Sequence, residues 1–293
     1  MVTVIIPTIN EYTLENVIQA ARRELPDAEI IVVGYGASQD IARKYSVDFL
    51  DLKQKTIKSI GINRAIHRAT YEWLIILDAD TIPLPGWGMG MLKAFQEGKD
   101  AFNGSVNIDF GNYWMRVYNL SSFHEVLPEN KSGKRKYLPG NNLGFTRKAF
   151  EITGDWDELL ARSQDFDWTL RLNQKGIVQW FESEPSVLHI AFRQSTFASL
   201  WNSWENNGYC NWLVRQKYRN LLRTPGILLH PLLVLLFAPL LSLIPTFRIA
   251  FTSPRNFFRY FYLLPFVYLT KIAWCWGVYK AATKTSSGSI RSK

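Results

Sequence analysis

Two aspartates one residue apart, Asp78 and Asp80, follow directly on the apolar run "YEWLIIL". Carboxylates at that spacing can bind a hard divalent cation, Mg²⁺ or Mn²⁺, which keeps water and accepts phosphate oxygens as its remaining ligands. A D-x-D alone is common, so its surroundings decide its weight. A second acidic pair stands in "SQDFDWTLRLNQKG", where Asp165 and Asp167 open a helical pattern. Asp167, two residues on, points elsewhere on the helix and suits a pair with Arg171.

The elements that would carry these groups are readable. "VTVIIP" is a β-branched run stopped by Pro7, "TLENVIQAARREL" has helical spacing, and "AEIIVVG" is another buried-strand pattern ended by glycine. "IARKYS" continues as a helix, "VDFLDL" as a short strand, "TIKSIGINRAIHRA" as a helix and "EWLIILDA" as a strand. Continuous apolar strands alternating with helices imply an α/β fold with a parallel sheet covered on both faces. In such sheets ligands collect at the carboxyl ends of the strands, and Asp78 and Asp80 occupy that edge. Helix capping is a weaker account of them, because "TIPLPGW" does not start a helix at once.

The remainder of the 293-residue chain reads differently. No charged residue occurs from Thr224 to Phe247, long enough for a helix across a hydrocarbon core of ~30 Å. The aromatic stretch Phe261 to Tyr279 is also long enough, with Lys271 near its middle at a cost. Basic residues flanking both stretches favour a hairpin with both ends cytoplasmic. The net charge of +9 is better explained by anionic lipid headgroups than by nucleic acid. Two cysteines form neither a disulfide framework nor a metal-type spacing. "MVTVIIPTINE" lacks the pattern of a signal peptide. Phe197, Leu200, Trp201 and Trp204 recur at helical spacing and predict an interfacial helix, with an ordinary amphipathic helix packed on the soluble domain as the alternative. The expected organisation is a catalytic domain over 1–195, an amphipathic interfacial helix region over 196–222, and a transmembrane hairpin with a basic tail over 223–293.

Several of these stretches, in this order, resemble the inverting family 2 glycosyltransferases with the GT-A fold, a Rossmann-like fold that uses nucleotide-diphospho-sugars. "IIPTINE" resembles the family's P-x-x-N-E opening, which implies that Pro7, Thr8, Asn10 and Glu11 line the nucleotide pocket. "IGINRAIHRATYEWLIILDAD" resembles the stretch ending in the D-x-D and implies donor contacts from Asn63, Asp78 and Asp80. "PGNNLGFTRKAFEITGDWDE" resembles the acceptor-side segment, with Gly140, Asn141 and Asn142. "SQDFDWTLRLNQKG" resembles the family's E-D helix, so the resemblance makes Asp165 the catalytic base with Gln164 beside it. His189, in "SVLHIAF", matches a position from which many such enzymes offer a further metal ligand beside Asp80 and Asp78; a backbone-satisfied strand-end histidine is the alternative. Two departures stand out: Gly34 and Tyr35 occupy the place of an acidic pair that reads the base, and Gln164 replaces a Glu.

The resemblance implies a divalent cation and a GDP- or UDP-sugar donor, with mannose from GDP-mannose the first expectation. The apolar segments imply a membrane and a lipid-linked acceptor, with the catalytic domain on the cytoplasmic face of an integral membrane protein. Trp201 or Trp204 is expected to shape the acceptor site, and the basic loop "ENKSGKRKY" to meet a carrier diphosphate or simply solvent. A polyprenyl-phosphate sugar synthase, a UDP-sugar enzyme, a nucleotidyltransferase and a catalytically inactive membrane-attached binding protein are the competing readings.

Overall fold

The computed structural model describes residues 1–252 and 254–286. Two compact units emerge, one built from Met1–Phe110 and Val126–Ile190, the other from Gly111–Glu125 and the described residues from Ala191 onward. Residues 111–125, expected within the catalytic domain, therefore belong with the C-terminal helices.

The first unit follows the alternation seen in the sequence. β1 (Val2–Pro7), α1 (Leu14–Glu24), β2 (Glu29–Gly34), α2 (Ser38–Lys44), β3 (Asp48–Asp51), α3 (Lys58–Arg68) and β4 (Trp73–Leu77) come in strict order. β1 pairs in parallel with both β2 and β4, and β2 with β3. β5 (Thr81–Pro83), α4 (Trp87–Gln96), β6 (Ala101–Asn107), β7 (Gly133–Arg135), β8 (Asn142–Thr146), α6 (Arg147–Thr153), α7 (Gln164–Gln174) and β9 (Gln179–His189) complete the unit; α5 lies in the other one. Among the described residues these strands make one sheet in the order β3-β2-β1-β4-β8-β6-β9-β5, with β7 also on β9.

The sheet is mixed, where the apolar runs predict a parallel one. β8 is antiparallel to β4 and β6, and β5 to β9. The 136–146 segment returns through the middle of the sheet, which a reading of local periodicity cannot see. Burial explains why β1, β2 and β4 are apolar at all positions but Thr3 and Glu29. Successive side chains alternate faces, so Ile5, Ile31, Val33 and Ile76 pack with Ile62, Ile66, Phe145, Trp156 and Trp168. Val4, Ile6, Val32 and Ile75 are equally buried and point the other way.

The second unit is helical: α5 (Tyr113–Phe123), α8 (Phe197–Lys217), α9 (Arg219–Leu222), α10 (Gly226–Leu229), α11 (Pro231–Leu236), α12 (Ala238–Ala250), α13 (Pro254–Tyr260) and α14 (Leu264–Ser286). The apolar run expected to form one long helix is divided into α10, α11 and α12. Proline accounts for the breaks, because Pro231 and Pro239 stand at the first and second positions of α11 and α12 and bring no backbone N–H to continue the preceding turn. By length and composition, the helical stretch Phe257–Lys284 alone among the described residues is long and apolar enough to cross a membrane.

α14 packs closely along α8. A Cβ on Gly208 would lie 2.0 Å from the Trp274 carbonyl oxygen, and one on Gly277 would lie 1.9 Å from that of Glu205. Glycine at both positions is thus a condition of the contact. Lys280 closes it with a 2.5 Å pair to Glu205. Lys271, the costly charge near the middle of the stretch from Phe261 to Tyr279, is buried, with Nζ donating to the Ser121 carbonyl at 3.1 Å and lying 3.7 Å from the Trp204 ring centroid.

Candidate functional site

The carboxyl ends of β1, β2 and β4 and the loops that leave them gather the first group. Beyond Pro7 the chain turns sharply, with Asn10 at φ 65°. Its Oδ1 accepts from Ser38 N at 3.2 Å and Ser38 Oγ at 2.9 Å. Glu11 accepts from Thr8 Oγ1 at 2.7 Å and Ile9 N at 2.6 Å. Thr13 Oγ1 donates to the Ala79 carbonyl at 2.6 Å, tying this loop to the middle residue of the D-x-D. Thr8, Asn10 and Glu11, expected to line the nucleotide pocket, bond to one another's segment and to Ser38 and so build the turn after β1. Gly34 has a steric reason: a Cβ there would meet Thr8 Cγ2 at 2.6 Å and the Thr8 carbonyl oxygen at 2.8 Å. No side chain fits at 34 while the β1 loop stands as it does.

Asp78 and Asp80 take different partners. The Lys58 ammonium, at the first turn of α3, sits 2.5 Å from Asp78 Oδ1. Burial works against the charge on Lys58, but Asp78, with Asp165 and Asp80 farther off, outweighs it and holds the lysine above its ordinary pKa. Lys58 is therefore the positive centre among three acids, a role the sequence reading missed. Asp80 turns toward β9. The pairing of Thr81 with His189 and the 2.8 Å bond from Ile190 N to the Asp80 carbonyl bring the histidine alongside. His189 Nε2 lies 3.7 Å from Asp80 Oδ1. Burial lowers the His189 pKa to about 4 against the pull of Asp78, so the ring is neutral at neutral pH, the form that ligates metals.

Among the described residues no cluster of three or more His, Cys, Asp or Glu suits a metal ion. A buried neutral imidazole beside a partly exposed carboxylate nevertheless fits a divalent cation whose other ligands come from phosphate oxygens and water. Asp80 and His189 are the residues that would hold it, while the nearer oxygen of Asp78 is engaged by Lys58.

Asp165, at the start of α7, is held from three sides. Oδ2 accepts from Tyr137 Oη at 2.7 Å and Gly140 N at 3.1 Å, and Oδ1 from Phe166 N at 2.8 Å. The segment that holds it also touches the D-x-D, since Asp78 N donates to the Asn141 carbonyl at 3.1 Å. The Asn141 side chain is buried, and both its amide atoms lack a hydrogen-bond partner among the described residues. A buried amide left unpaired is costly, and here it stands between the two acidic centres with a donor and an acceptor to offer. Gln164 is buried beside Asp165. Asp167 is fully buried and pairs with Arg171 at 3.0 Å, as its helical spacing predicts.

Other expected site residues prove to be struts. The Asn63 amide is occupied by the Trp156 backbone in both directions, at 2.9 Å each, and by Glu158, so it pins the 156–158 segment rather than facing a donor. Asn142 donates to the Ser105 and Pro185 carbonyls and accepts from Trp87 Nε1, which locks β8 to its neighbours instead of reaching an acceptor. Trp204 carries the Lys271 ammonium on its ring, and Trp201 joins Phe197 in a cluster within the helical unit. The basic loop ends in β7, with Lys134 over Trp180 and the Arg135 guanidinium 4.8 Å from the Phe181 ring centroid, so its cations dress the sheet edge.

Poly-beta-1,6-N-acetyl-D-glucosamine synthase of Staphylococcus epidermidis is 23% identical over 204 residues, 64% of this chain and 48% of that protein. The enzyme of that name from Staphylococcus aureus strain COL is 25% identical over 259 residues, 80% of this chain and 58% of that one. The chain thus spans about half the length of these relatives. A mannosyltransferase of Pyrobaculum calidifontis, solved with GDP-Man and Mn²⁺, shares the fold at a TM-score of 0.57 and 14% identity, covering 99% of this chain and 76% of its own. Residues 1–349 of Staphylococcus aureus TarS do so at 0.53 and 12%, covering 99% and 93%. The model of glycosyl transferase family 2 matches residues 3–153, just over half the chain. With that match laid over the β1 turn, the D-x-D and the α/β sheet that carries them, the chain belongs to glycosyl transferase family 2 and is a glycosyltransferase.

Proposed function

We propose that the protein transfers a hexose, with inversion at the anomeric carbon, from a nucleotide-diphospho-sugar to a hydroxyl of a lipid-linked saccharide or glycolipid at a membrane. The observation that carries this reading is Lys58, which pairs with Asp78 and feels both Asp80 and Asp165. With the 140–141 segment, which bonds to both Asp165 and Asp78, it supports reading the D-x-D and the E-D-like helix as parts of one site.

The acceptor oxygen attacks the anomeric carbon, the bond from that carbon to the diphosphate oxygen breaks, and the hydroxyl proton passes to Asp165. Tyr137 and the Gly140 and Phe166 amides aim the carboxylate. Asn141 offers its amide to sugar hydroxyls between the two centres. Lys58 opposes the negative charge that grows on the departing diphosphate. A divalent cation held by Asp80 and His189 would supply further positive charge at the same place.

The donor proposed first is GDP-mannose, supported by the fold shared with the mannosyltransferase solved with GDP-Man. The relatives named poly-beta-1,6-N-acetyl-D-glucosamine synthase support UDP-N-acetylglucosamine as the second reading. The decisive experiment incubates the detergent-purified full chain with radiolabelled nucleotide sugars, one at a time, and a native lipid extract. Label from a single donor moving to the lipid phase is expected, and sugar release to water alone from every donor would overturn the acceptor assignment.

Lys58→Ala is expected to raise the donor KM and lower kcat, with kcat/KM falling roughly 10- to 100-fold, the range for a hydrogen bond to a charged group. Steady-state kinetics at saturating metal measures both. Unchanged values would mean that Lys58 serves only to hold Asp78 in place.

A further inference from the structure

The helices α11 and α12 invert the usual polarity of a protein surface. Leu232, Leu236, Leu240, Ile244, Phe247 and Phe251 recur at intervals of three or four and are 55–71% exposed. The opposite stripe is buried and contains the small or hydroxyl-bearing residues Ala238, Ser242, Thr246 and Ala250. Thr246 Oγ1 donates to the Ser242 carbonyl at 2.7 Å, and Ser242 Oγ lies 3.9 Å from Cys275 Sγ of α14. Large aliphatic and aromatic groups outward with hydroxyls inward is the arrangement found against lipid tails. The outward face continues onto α13, because the Phe251 and Phe257 rings stack at 5.8 Å, and Phe258 is 75% exposed. A patch of this extent marks an interaction surface.

Charge identifies the partner. After Glu205 the sequence has no Asp or Glu and has twelve Lys or Arg, while residues 1–205 carry a net charge of −3. All of the protein's positive excess thus lies in the part of the chain that carries the apolar stripe. An anionic headgroup layer over hydrocarbon satisfies both features together.

Packing decides how deep the contact goes. α14 lies along α8 through Gly208 and Gly277, and Lys271 at its middle is tied to Ser121 and Trp204. If α14 crossed a bilayer, α8 would have to enter with it, carrying Asn202, Glu205, Asn206, Asn207, Asn211 and Arg215. Such a helix is too polar for the hydrocarbon. The buried face of α12 is fixed to α14, so α12 cannot cross alone. We propose that the protein rests on one leaflet of an anionic bilayer, with the Leu232–Phe251 stripe lying in the membrane plane and no helix spanning. The proposal takes from the preceding reading only that the acceptor is at a membrane, and its test involves no sugar transfer.

The full chain, reconstituted with vesicles of phosphatidylcholine or of phosphatidylcholine mixed with phosphatidylglycerol, is floated on a density gradient. Flotation with the anionic vesicles is expected, and the double variant Leu236→Glu, Leu240→Glu should partition roughly 100-fold less, since each side chain loses the burial of a leucine. Circular dichroism and nucleotide-sugar binding by the variant separate this from misfolding. Thr252→Cys and Lys284→Cys, each labelled with an impermeant maleimide outside sealed vesicles, should both react. Protection of one of them would show a crossing hairpin and overturn the proposal. So would a wild-type protein that fails to float and sediments as a dimer dispersed by the same double substitution, which would assign the stripe to a second copy of the chain.

Discussion

Asp165→Asn is expected to lower kcat by roughly 10²- to 10⁴-fold, the range of a positioned general base, while the affinity for nucleotide sugar stays close to that of the wild type. The size of the loss rests on how completely the carboxylate is committed. Both of its oxygens accept protein hydrogen bonds, Oδ2 from Tyr137 and Gly140 and Oδ1 from Phe166. An asparagine must turn its NH₂ against one of these donors, which costs on the order of 1–3 kcal/mol. Donor affinity and the melting temperature therefore need to be measured beside turnover. A variant that binds donor, melts normally and transfers at the full rate would show that the nucleophile arrives already ionised. That result would turn the reading toward a polyprenyl-phosphate acceptor.

Asp80→Ala is expected to be as damaging for a different reason. The proposed cation contributes several kcal/mol to stabilising charge on the leaving group, so its loss corresponds to a rate decrease on the order of 10³-fold or more. Asp78 is a poor substitute, because its nearer oxygen is held by Lys58 at 2.5 Å. Calorimetric titration of the donor in the presence and absence of Mn²⁺ checks the assignment. The wild type should bind more tightly with metal, and Asp80→Ala should bind alike in both. A variant that keeps its metal dependence would remove Asp80 as a ligand. His189→Ala should fall between the two, since a neutral ring adds a ligand atom but no charge.

How far the site can be read from the sequence depends on whether its parts are local. β1, β2 and β4 are legible because they are buried on both faces and therefore mostly apolar, and the helices between them because one face of each is. The pairing of Asp167 with Arg171 is legible because residues four apart on a helix are neighbours, while residues two apart face away from each other. Lys58 escaped notice because a lysine at a helix start looks like a solvated residue; its partner Asp78 lies twenty positions on and only the β4 edge brings them together. Its place one turn before the apolar face of α3, in a chain whose D-x-D sits at the next strand's end, is the signal that could have found it. Asn63 and Asn142 misled in the opposite direction. A buried amide in a motif reads as a ligand contact until the backbone groups it satisfies, 93 residues away for Asn63 and Trp156, are seen. The antiparallel return of β8 and the pairing of β5 with β9 depend on long-range partners that no local pattern records.

That last pairing has a consequence for synthesis. β5 leaves Asp80 immediately, yet its sheet partner is β9, and Thr81 meets His189 only when more than a hundred further residues have been made. Until then β5 has no partner in the sheet. The proposed cation site, which needs His189 as well as Asp80, is therefore completed only when the last strand of the first unit has been made.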